Sequence, residues 1–477
     1  MCMLDKNQRV ELIPVVEHCN STFQTFQDDK NAIQLKPKLF QLYEFQSDFY
    51  EQYNVVYQLP YIFEVDGSPW VEANLYLYSL AKKKFLEDKR STALRLVASN
   101  ILEYKIFCEN HKLDAFDFSS LRPVGRPSYR FFKHLIEEGG VSPRVLNGKT
   151  LDVYSFYKYV HENNLRKFDM KRVDVTKQVD LLIKTRDGFI SKKDVTKRSQ
   201  TVDVPRSPAT KIGFVNDEGE DLQPLMDDAY GALLSAISDG GLTHEQRLIT
   251  CLALLTGERK QTILTIRHKH LDQFNESNLS DKGVYKLKLS PFNGADTKFD
   301  KPHVLDVPVR LADMLKQYSK CEEHEHRVAK FQLKNGDVLS KKDMYLFISR
   351  EGNCHYMAKN DPRYLKVKTI PTGWNTKTIC DKIIKNANSL IPADFTFHWL
   401  RATFAYQYYL SLQPMIKSGE LSYGDDIDII RKKLHHAHRE TTEGYLKLFT
   451  SVDSRINIQR LYENKLFGES MEGILNE

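Results

Sequence analysis

The most constraining feature of this sequence is an almost wholly apolar helix in its second half. Thr243-His244-Glu245-Gln246 has the pattern of a capping box, in which the Thr243 hydroxyl caps the helix and the Gln246 side chain reaches back. The residues that follow, through Leu254-Leu255, are almost all apolar, which predicts a buried helix. This helix is expected to stop at Thr256-Gly257, and a new short helix then carries Arg259 at its start.

Length and composition indicate a globular protein with more than one domain. The chain has 477 residues, more than one core usually supports, so two or three domains are expected. Hydrophobic residues make up 41% and charged residues 28% of the sequence, which is ordinary for a folded protein. The formal charge of +6 and a pI near 8.6 permit a polyanionic partner without requiring one.

Cysteine usage and hydropathy predict a cytoplasmic protein. The seven cysteines are scattered and odd in number, with no C-x-x-C pair, which favours a reducing compartment over a disulfide framework. The metal-capable run Cys321–His326 is interpreted as a solvated charged loop. Residues 1–16 lack a continuous apolar core, and no stretch approaches the ~20 apolar residues of a membrane span.

The hydrophobic patterns predict a mainly α fold with small β-sheets (α+β). Residues 1–66 form an N-terminal segment that contains strand-like runs at Lys38–Tyr43 and Asn54–Phe63. Residues 67–165 are predicted to form a helical bundle with basic edges. Its helices are expected at Thr92–Phe107, Tyr129–Glu138 and Ser142–Tyr159, with Ser142 as N-cap.

A basic linker, residues 166–221, is expected to separate the bundle from a larger domain. Residues 166–211 contain thirteen Lys or Arg against six Asp. Two interpretations stay open: a solvated linker with short strands, or a linker that follows a phosphate backbone. The larger domain, 222–456, is predicted to contain a β-hairpin (Gly283–Leu289 and His303–Val307) and helices at Thr376–Ala387, His398–Leu410, Asp425–Leu434 and Thr441–Phe449. Residues 457–477 form a C-terminal tail with a further helix candidate at Asn457–Phe467.

Three segments of the larger domain supply residues suited to phosphodiester chemistry. A tyrosine phenol can form a covalent phosphodiester, and arginine binds phosphate oxygens bidentately at any working pH. Lysine and histidine can move the protons. Each residue also has an ordinary structural explanation, such as helix capping, local pairing or packing, so the joint pattern is what favours a catalytic site.

The three segments resemble the box motifs of the tyrosine recombinases, the phage-integrase family. Thr256-Gly257-Glu258-Arg259 is similar to the T-G-x-R box, and His398-Trp399-Leu400-Arg401 opens a segment similar to H-x-L-R-H/A-T-x-A. Leu434-His435-His436 resembles L-G-H, and Tyr445 follows His436 at the interval of nine residues expected for the nucleophile. The hairpin segment Asp296-Thr297-Lys298 resembles the one that carries the catalytic lysine of the family.

The resemblance implies a role for each matching residue. Arg259 and Arg401 would clamp the scissile phosphate, and Tyr445 would attack it. Lys298 (or alternatively Lys301) would be the general acid, His398 the general base or a phosphate donor, and His436 a further donor. Residues 222–456 would be the catalytic domain, and the helical bundle 67–165 would be the core-binding (DNA-binding) domain. It also implies a recombinase or integrase that leaves a 3′-phosphotyrosyl intermediate and uses no metal or cofactor. The implied partners are double-stranded DNA, further copies of the chain in a tetramer, and an accessory DNA-bending or directionality factor. Integration or excision of a mobile element would be the biological event.

Three departures from the family pattern and three rival functions remain. Residues 1–66 and the long linker have no counterpart in the family. His435 occupies the usual glycine position, and Thr262 replaces an acidic residue three positions after the first arginine, so an auxiliary hydrogen bond would be absent or differently supplied. The rivals are a type IB topoisomerase, a non-catalytic DNA-binding regulator, and a metal-dependent hydrolase built on His435, His436 and His438. The last lacks acidic ligands at matching spacing.

Overall fold

The computed structural model describes residues 8–16, 56–86, 92–184, 190–204, 213–217, 220–238, 241–387, 389–422, 424–436 and 439–448. The architecture is α+β and mainly helical, as predicted, and the described strands pair as two-stranded antiparallel sheets. The chain divides into two compact units, Met1–Ser207 with Leu365–Lys368, and Pro208–Tyr364 with Thr369–Glu477. The predicted strand Lys38–Tyr43 and helix Asn457–Phe467 lie outside the described residues. None of the described helices is long and apolar enough to cross a bilayer.

The first unit combines helices with two antiparallel strand pairs. Its elements are β1 (Val10–Val16), β2 (Val56–Ile62), α1 (Val71–Leu86), α2 (Thr92–Asn110), α3 (Pro127–Glu137), α4 (Pro143–Glu162), the single turn α5 (Met170–Val173), β3 (Thr176–Lys184) and β4 (Ile190–Arg198). The three helices expected from apolar periodicity are present as α2, α3 and α4. Ser142 caps α4, because its hydroxyl accepts a hydrogen bond from the Val145 amide (3.4 Å).

The basic stretch after α4 contains a long β-hairpin whose base contacts α4. Strands β3 and β4 pair in register from Thr176 with Arg198 to Lys184 with Ile190. Arg198 is buried, donates to the Thr150 carbonyl oxygen of α4 (2.9 Å) and lies 3.4 Å from the Asp174 carboxylate. A buried guanidinium needs such partners to offset its lost hydration. These contacts hold the base of the hairpin against α4.

The second unit holds all the motif residues. Its elements are β5 (Val215–Asp217), β6 (Glu220–Leu222), α6 (Asp227–Ser238), α7 (His244–Thr256), α8 (Lys260–Leu264), α9 (His268–Leu271), β7 (Val284–Leu289), β8 (His303–Pro308), α10 (Val309–Tyr318), α11 (Glu322–Asn335), α12 (Asn375–Asn386), α13 (Trp399–Lys417) and α14 (Asp425–Lys433). Residues 439–448 are helical as well. The predicted β-hairpin is present as β7–β8, and the four predicted helices of residues 376–449 are found within two residues of their expected starts.

Helix α7 is the buried helix that the sequence predicts. The Thr243 hydroxyl accepts from the Gln246 amide (3.3 Å), and the Gln246 side chain accepts from the Thr243 amide (3.1 Å), so both halves of the capping box form. The side chains of Leu248, Ile249 and Leu252 are completely buried. The helix packs against α10, α13 and β8. It thus forms the centre of the core on which the motif segments lie.

A buried histidine joins α9 to the loop of the β7–β8 hairpin. His270 Nδ1 accepts from the Arg267 amide (2.8 Å), and its Nε2 lies 2.9 Å from the Asn293 carbonyl oxygen. Because an amide can only donate and a carbonyl can only accept, the proton must be on Nε2. Burial favours the neutral ring and lowers the pKa of His270 to about 4.

This histidine makes the stability of the second unit pH-dependent. The unfolded chain takes up the proton as the pH falls through the ordinary value near 6.5, whereas the folded chain does so only near 4. The contribution of His270 to unfolding free energy is therefore complete above pH 6.5 and declines toward pH 4 by about 1.4 kcal/mol per pH unit. Denaturant titrations of the wild type and His270→Gln should show the difference in unfolding free energy shrinking over this range. A pH-independent difference would contradict the prediction.

Candidate active site

Arg401 is the residue that connects the segments of the site. It lies in the first turn of α13 and is 2% exposed. Its Nη1 donates to the Gly257 carbonyl oxygen (2.7 Å), its Nη2 to the Leu434 carbonyl oxygen (2.6 Å), and its Nε to Asp217 Oδ2 (3.2 Å). One guanidinium therefore joins the ends of α7 and α14 to strand β5.

Gly257 allows the chain to turn tightly from α7 into α8. Its φ of +66° is in the left-handed region, and a Cβ at this position would lie 2.3 Å from Cδ1 of the Phe404 ring. The turn places the half-buried Arg259 at the N-terminus of α8. Arg259, His398 and Arg401 line one cavity of about 700 Å³.

Tyr445 lies on the helical segment 439–448 and points into the same cluster. Its side chain is completely buried, and the phenol donates to Asp217 Oδ2 (3.0 Å). Burial and the adjacent Asp217 carboxylate both disfavour the phenolate and raise the pKa of Tyr445 well above its ordinary value. The tyrosine is therefore held as a neutral phenol.

Two histidines lie close to the Asp217 carboxylate. His436 Nδ1 lies 3.0 Å from the Thr442 hydroxyl and its Nε2 3.7 Å from Asp217 Oδ2. His398 Nδ1 lies 3.1 Å from Glu220 Oε2 and its Nε2 3.9 Å from Asp217 Oδ2. Both Nε2 atoms are buried without a hydrogen-bond partner among the residues that the structure describes. An anion larger than one carboxylate oxygen would bring acceptor atoms within their reach.

Asp217 is the site residue that sequence reasoning misses. Burial opposes its ionisation, but the close approach of His436 and the charges of Arg401 and His398 outweigh this and hold the pKa of Asp217 well below its ordinary range. The sequence places Asp217 in the predicted linker, 184 residues before Arg401. Its acidic neighbourhood, Asp217-Glu218-Gly219-Glu220, is the sole local signal, and such runs are usually solvated.

The side chains of His435 and His436 have different partners. The φ of His435 is +53°, which explains why this position favours glycine. The ring stacks on His303 (centroids 4.1 Å apart, planes at 12°), and His303 Nδ1 lies 2.9 Å from Glu258 Oε2. Burial lowers the pKa of His435 to about 4. His436, the residue selected by spacing, is thus the one that faces Asp217.

Glu258, His303 and His435 form a group in the described part of the chain whose ligand atoms lie within 4.8 Å of one another. A metal binds in the plane of an imidazole, along the nitrogen lone pair. Because the two stacked rings lie in nearly parallel, separate planes, one cation cannot lie in both. The arrangement fits hydrogen bonding to the buried Glu258 carboxylate better than metal binding. Of the three histidines in the rival metal hydrolase, His435 lies near Glu258 and His436 near Asp217, and His438 lies outside the described residues.

The lysine candidates lie on a loop anchored to α8. The Thr262 hydroxyl donates to the Asp296 carbonyl oxygen (3.0 Å), and the Asp296 amide donates to the Thr265 hydroxyl (2.8 Å). Thr262 therefore supplies a hydrogen bond where an acidic residue was expected. Two residues later, Lys298 is half-buried, whereas Lys301 is exposed.

Comparison with known proteins gives matches only among solved structures. No family model matches the chain, and no curated protein matches it. The chain is similar to XerH site-specific recombinase in a post-cleavage complex with difH substrate (14% identity, 82% of this chain and 87% of that chain, TM-score 0.40). It is also similar to the Tn1549 transposon integrase in complex with circular-intermediate DNA (13%, 78% and 94%, TM-score 0.34) and to XerA recombinase (14%, 82% and 98%, TM-score 0.28).

The three proteins are described as recombinases or integrases. Both the identities of 13–14% and the TM-scores of 0.28–0.40 are low. We therefore base the functional proposal on the geometry of the site.

Substitution of Gly257 tests how tightly the Arg401 network depends on the turn. Gly257→Ala should lower the unfolding free energy by about 2–4 kcal/mol, because it adds backbone strain of about 1 kcal/mol and forces the Phe404 ring to move. Gly283→Ala is the matched control, since Gly283 has a similar φ (+71°) but open space around it. Denaturant unfolding of both variants measures the difference, and equal losses would contradict the role of the Phe404 contact.

Proposed function

We propose that this chain is a tyrosine site-specific recombinase that cleaves and rejoins double-stranded DNA through a 3′-phosphotyrosyl intermediate. The observation that carries the proposal is the convergence of four motif residues on one buried oxygen. Arg401, Tyr445, His436 and His398 all lie 3.0–3.9 Å from Asp217 Oδ2. A cluster of cationic and neutral donors around one anionic oxygen is the arrangement that a phosphodiester requires.

Each residue has a chemical task in cleavage. The arginines Arg401 and Arg259 bind the non-bridging oxygens and stabilise the charge that develops on them. The Tyr445 oxygen forms a bond to phosphorus as the bond from phosphorus to the 5′ oxygen breaks. His398 accepts the phenolic proton, and Lys298 protonates the departing 5′ oxygen.

The buried, neutral state of the site matters for this reaction. The raised pKa of Tyr445 means that the phenol does not ionise before attack, so proton removal must accompany bond formation. Burial lowers the pKa of His436, which favours a neutral imidazole that can donate a hydrogen bond without adding charge. Rejoining reverses these steps, with a DNA 5′-hydroxyl attacking the phosphotyrosine.

The strand-exchange chemistry requires several copies of the chain. Recombination exchanges strands between two DNA sites, each cut on two strands, so four copies of the chain are needed in a tetramer. Integration or excision of a mobile element, with an accessory protein setting the direction, is the role we propose. A type IB topoisomerase would instead relax supercoiled DNA without joining two sites.

Removal of the Tyr445 phenol tests the proposal directly. Nicked suicide duplexes made from the DNA that flanks the gene should trap wild-type protein covalently, because the cleaved strand diffuses away before religation. Tyr445→Phe should abolish the trap and leave DNA binding unchanged. Tyr318→Phe is the matched control, since it removes another buried phenol, in α10. Undiminished trapping by Tyr445→Phe, measured on denaturing gels, would refute Tyr445 as the nucleophile.

The general acid is distinguished by comparing the two lysines of the hairpin loop. Lys298→Ala should slow cleavage by about 10²–10⁴-fold, the usual loss of a general acid, whereas Lys301→Ala should have a much smaller effect. A substrate with sulfur in place of the 5′-bridging oxygen has a leaving group that needs no proton. It should restore the rate of Lys298→Ala selectively. Failure of this rescue would remove Lys298 from the role of acid.

A further inference from the structure

The short hairpin β5–β6 places two acidic side chains against the candidate catalytic residues. Asp217 and Glu220 are paired across the hairpin. Asp217 accepts from Arg401 and Tyr445, while Glu220 lies 3.1 Å from His398. One three-residue strand pair therefore contacts three of the residues expected to bind and cut DNA.

The Asp217 carboxylate takes the place that a phosphate group would need. Its Oδ2 is surrounded by the donors that a scissile phosphate would use, and it is 3% exposed. A second anion cannot enter the same buried site, because two negative charges a few ångströms apart in a region of low dielectric repel strongly. DNA and Asp217 therefore compete for the same donors.

The burial of Tyr445, the proposed nucleophile, also indicates that Asp217 must move before DNA can bind. Tyr445 is completely buried and hydrogen-bonded to Asp217, so a DNA backbone cannot reach its oxygen while this contact exists. The hairpin also packs on the segment that carries the tyrosine, since a Cβ on Gly444 would lie 3.3 Å from Val215 Cγ2. Separation of β5 from the segment 439–448 would remove Asp217 from the Tyr445 phenol and from Arg401 Nε together.

We infer that the β5–β6 hairpin is an autoinhibitory pseudosubstrate, in which the Asp217 carboxylate occupies the site of the scissile phosphate until DNA displaces it. This inference rests on the proposed function for the identity of the competing ligand. The closed state keeps the nucleophile protonated and inaccessible when no DNA is bound. Binding of a phosphodiester then exchanges one anion for another, which keeps the buried Arg401 charge neutralised throughout.

Removal of the Asp217 charge tests the inference. Asp217→Asn keeps the size of the side chain and should increase the rate of covalent trapping on the suicide duplex at least tenfold. In a Tyr445→Phe background, the same change should tighten DNA binding, which separates binding from chemistry. Asp228→Asn, an exposed aspartate in the first turn of α6, makes the same charge change away from the site and should alter neither. Slower or unchanged trapping by folded Asp217→Asn would overturn the inference.

A reversible disulfide that holds the hairpin in place provides a second test of the inference. This test does not depend on the folding of Asp217→Asn. Val215→Cys combined with Gly444→Cys should form a disulfide that holds the hairpin against the segment 439–448. The oxidised protein should trap at least tenfold less DNA than the same protein after reduction. Equal trapping in both states of a quantitatively cross-linked sample would overturn the inference.

Inorganic phosphate distinguishes failure of this inference from failure of the proposed function. Phosphate binding, followed by the chemical shifts of the histidine rings, should be stronger in Asp217→Asn than in the wild type. In one outcome, phosphate binds more strongly to Asp217→Asn while neither protein traps DNA covalently. That result would support an anion site filled by Asp217 in the wild type and would refute the proposed recombinase function. Unchanged phosphate binding would overturn the pseudosubstrate, whatever the DNA assays show.

Discussion

The buried guanidinium of Arg401 is the interaction on which the site depends. A charge with so little exposure is costly unless hydrogen-bond acceptors and an opposite charge replace its hydration. Two backbone carbonyls, those of Gly257 and Leu434, and the Asp217 carboxylate provide them. Loss of any one partner would leave a donor without its acceptor in the interior. The ends of α7 and α14 are consequently fixed relative to α13.

A second buried carboxylate organises the layer next to this one. Glu258 lies beside Arg259 in the turn, accepts from the Arg259 amide (2.8 Å) and contacts His303 at the start of β8. Burial opposes its ionisation, but His303, Arg401 and His435 overcome this and lower the pKa of Glu258 to about 2. The two carboxylates have different partners, because Glu258 contacts the Arg259 amide and His303, whereas Asp217 accepts from Arg401 and Tyr445. In the pseudosubstrate that we infer, Asp217 is the carboxylate that a phosphate would replace.

The electrostatics favour a site that is ready to bind an anion but does not react without one. Tyr445 stays protonated, and burial favours the neutral form of His436. The positive charge of the site therefore comes mainly from the arginines. In the exchange that we infer, the hairpin moves but the donors reorganise little, because they are already aimed at one point. Such preorganisation accounts for the convergence of residues that are distant in sequence on one oxygen.

The sequence by itself determined the features governed by local physics. The capping box of α7 and the Ser142 cap of α4 follow from side chains that act on their own neighbouring backbone. The end of α7 at Gly257 follows from the absence of a Cβ, and the β7–β8 hairpin from the alternation of apolar and polar residues. Motif spacing also selected His436 over His435, and Arg401 and Tyr445 as its companions. Only the tertiary structure decided that Asp217 and Glu220 enter the site, and that Glu258, His303 and His435 form a group of their own. These contacts join segments that lie tens to hundreds of residues apart, and no local periodicity records which distant charge a buried arginine will find.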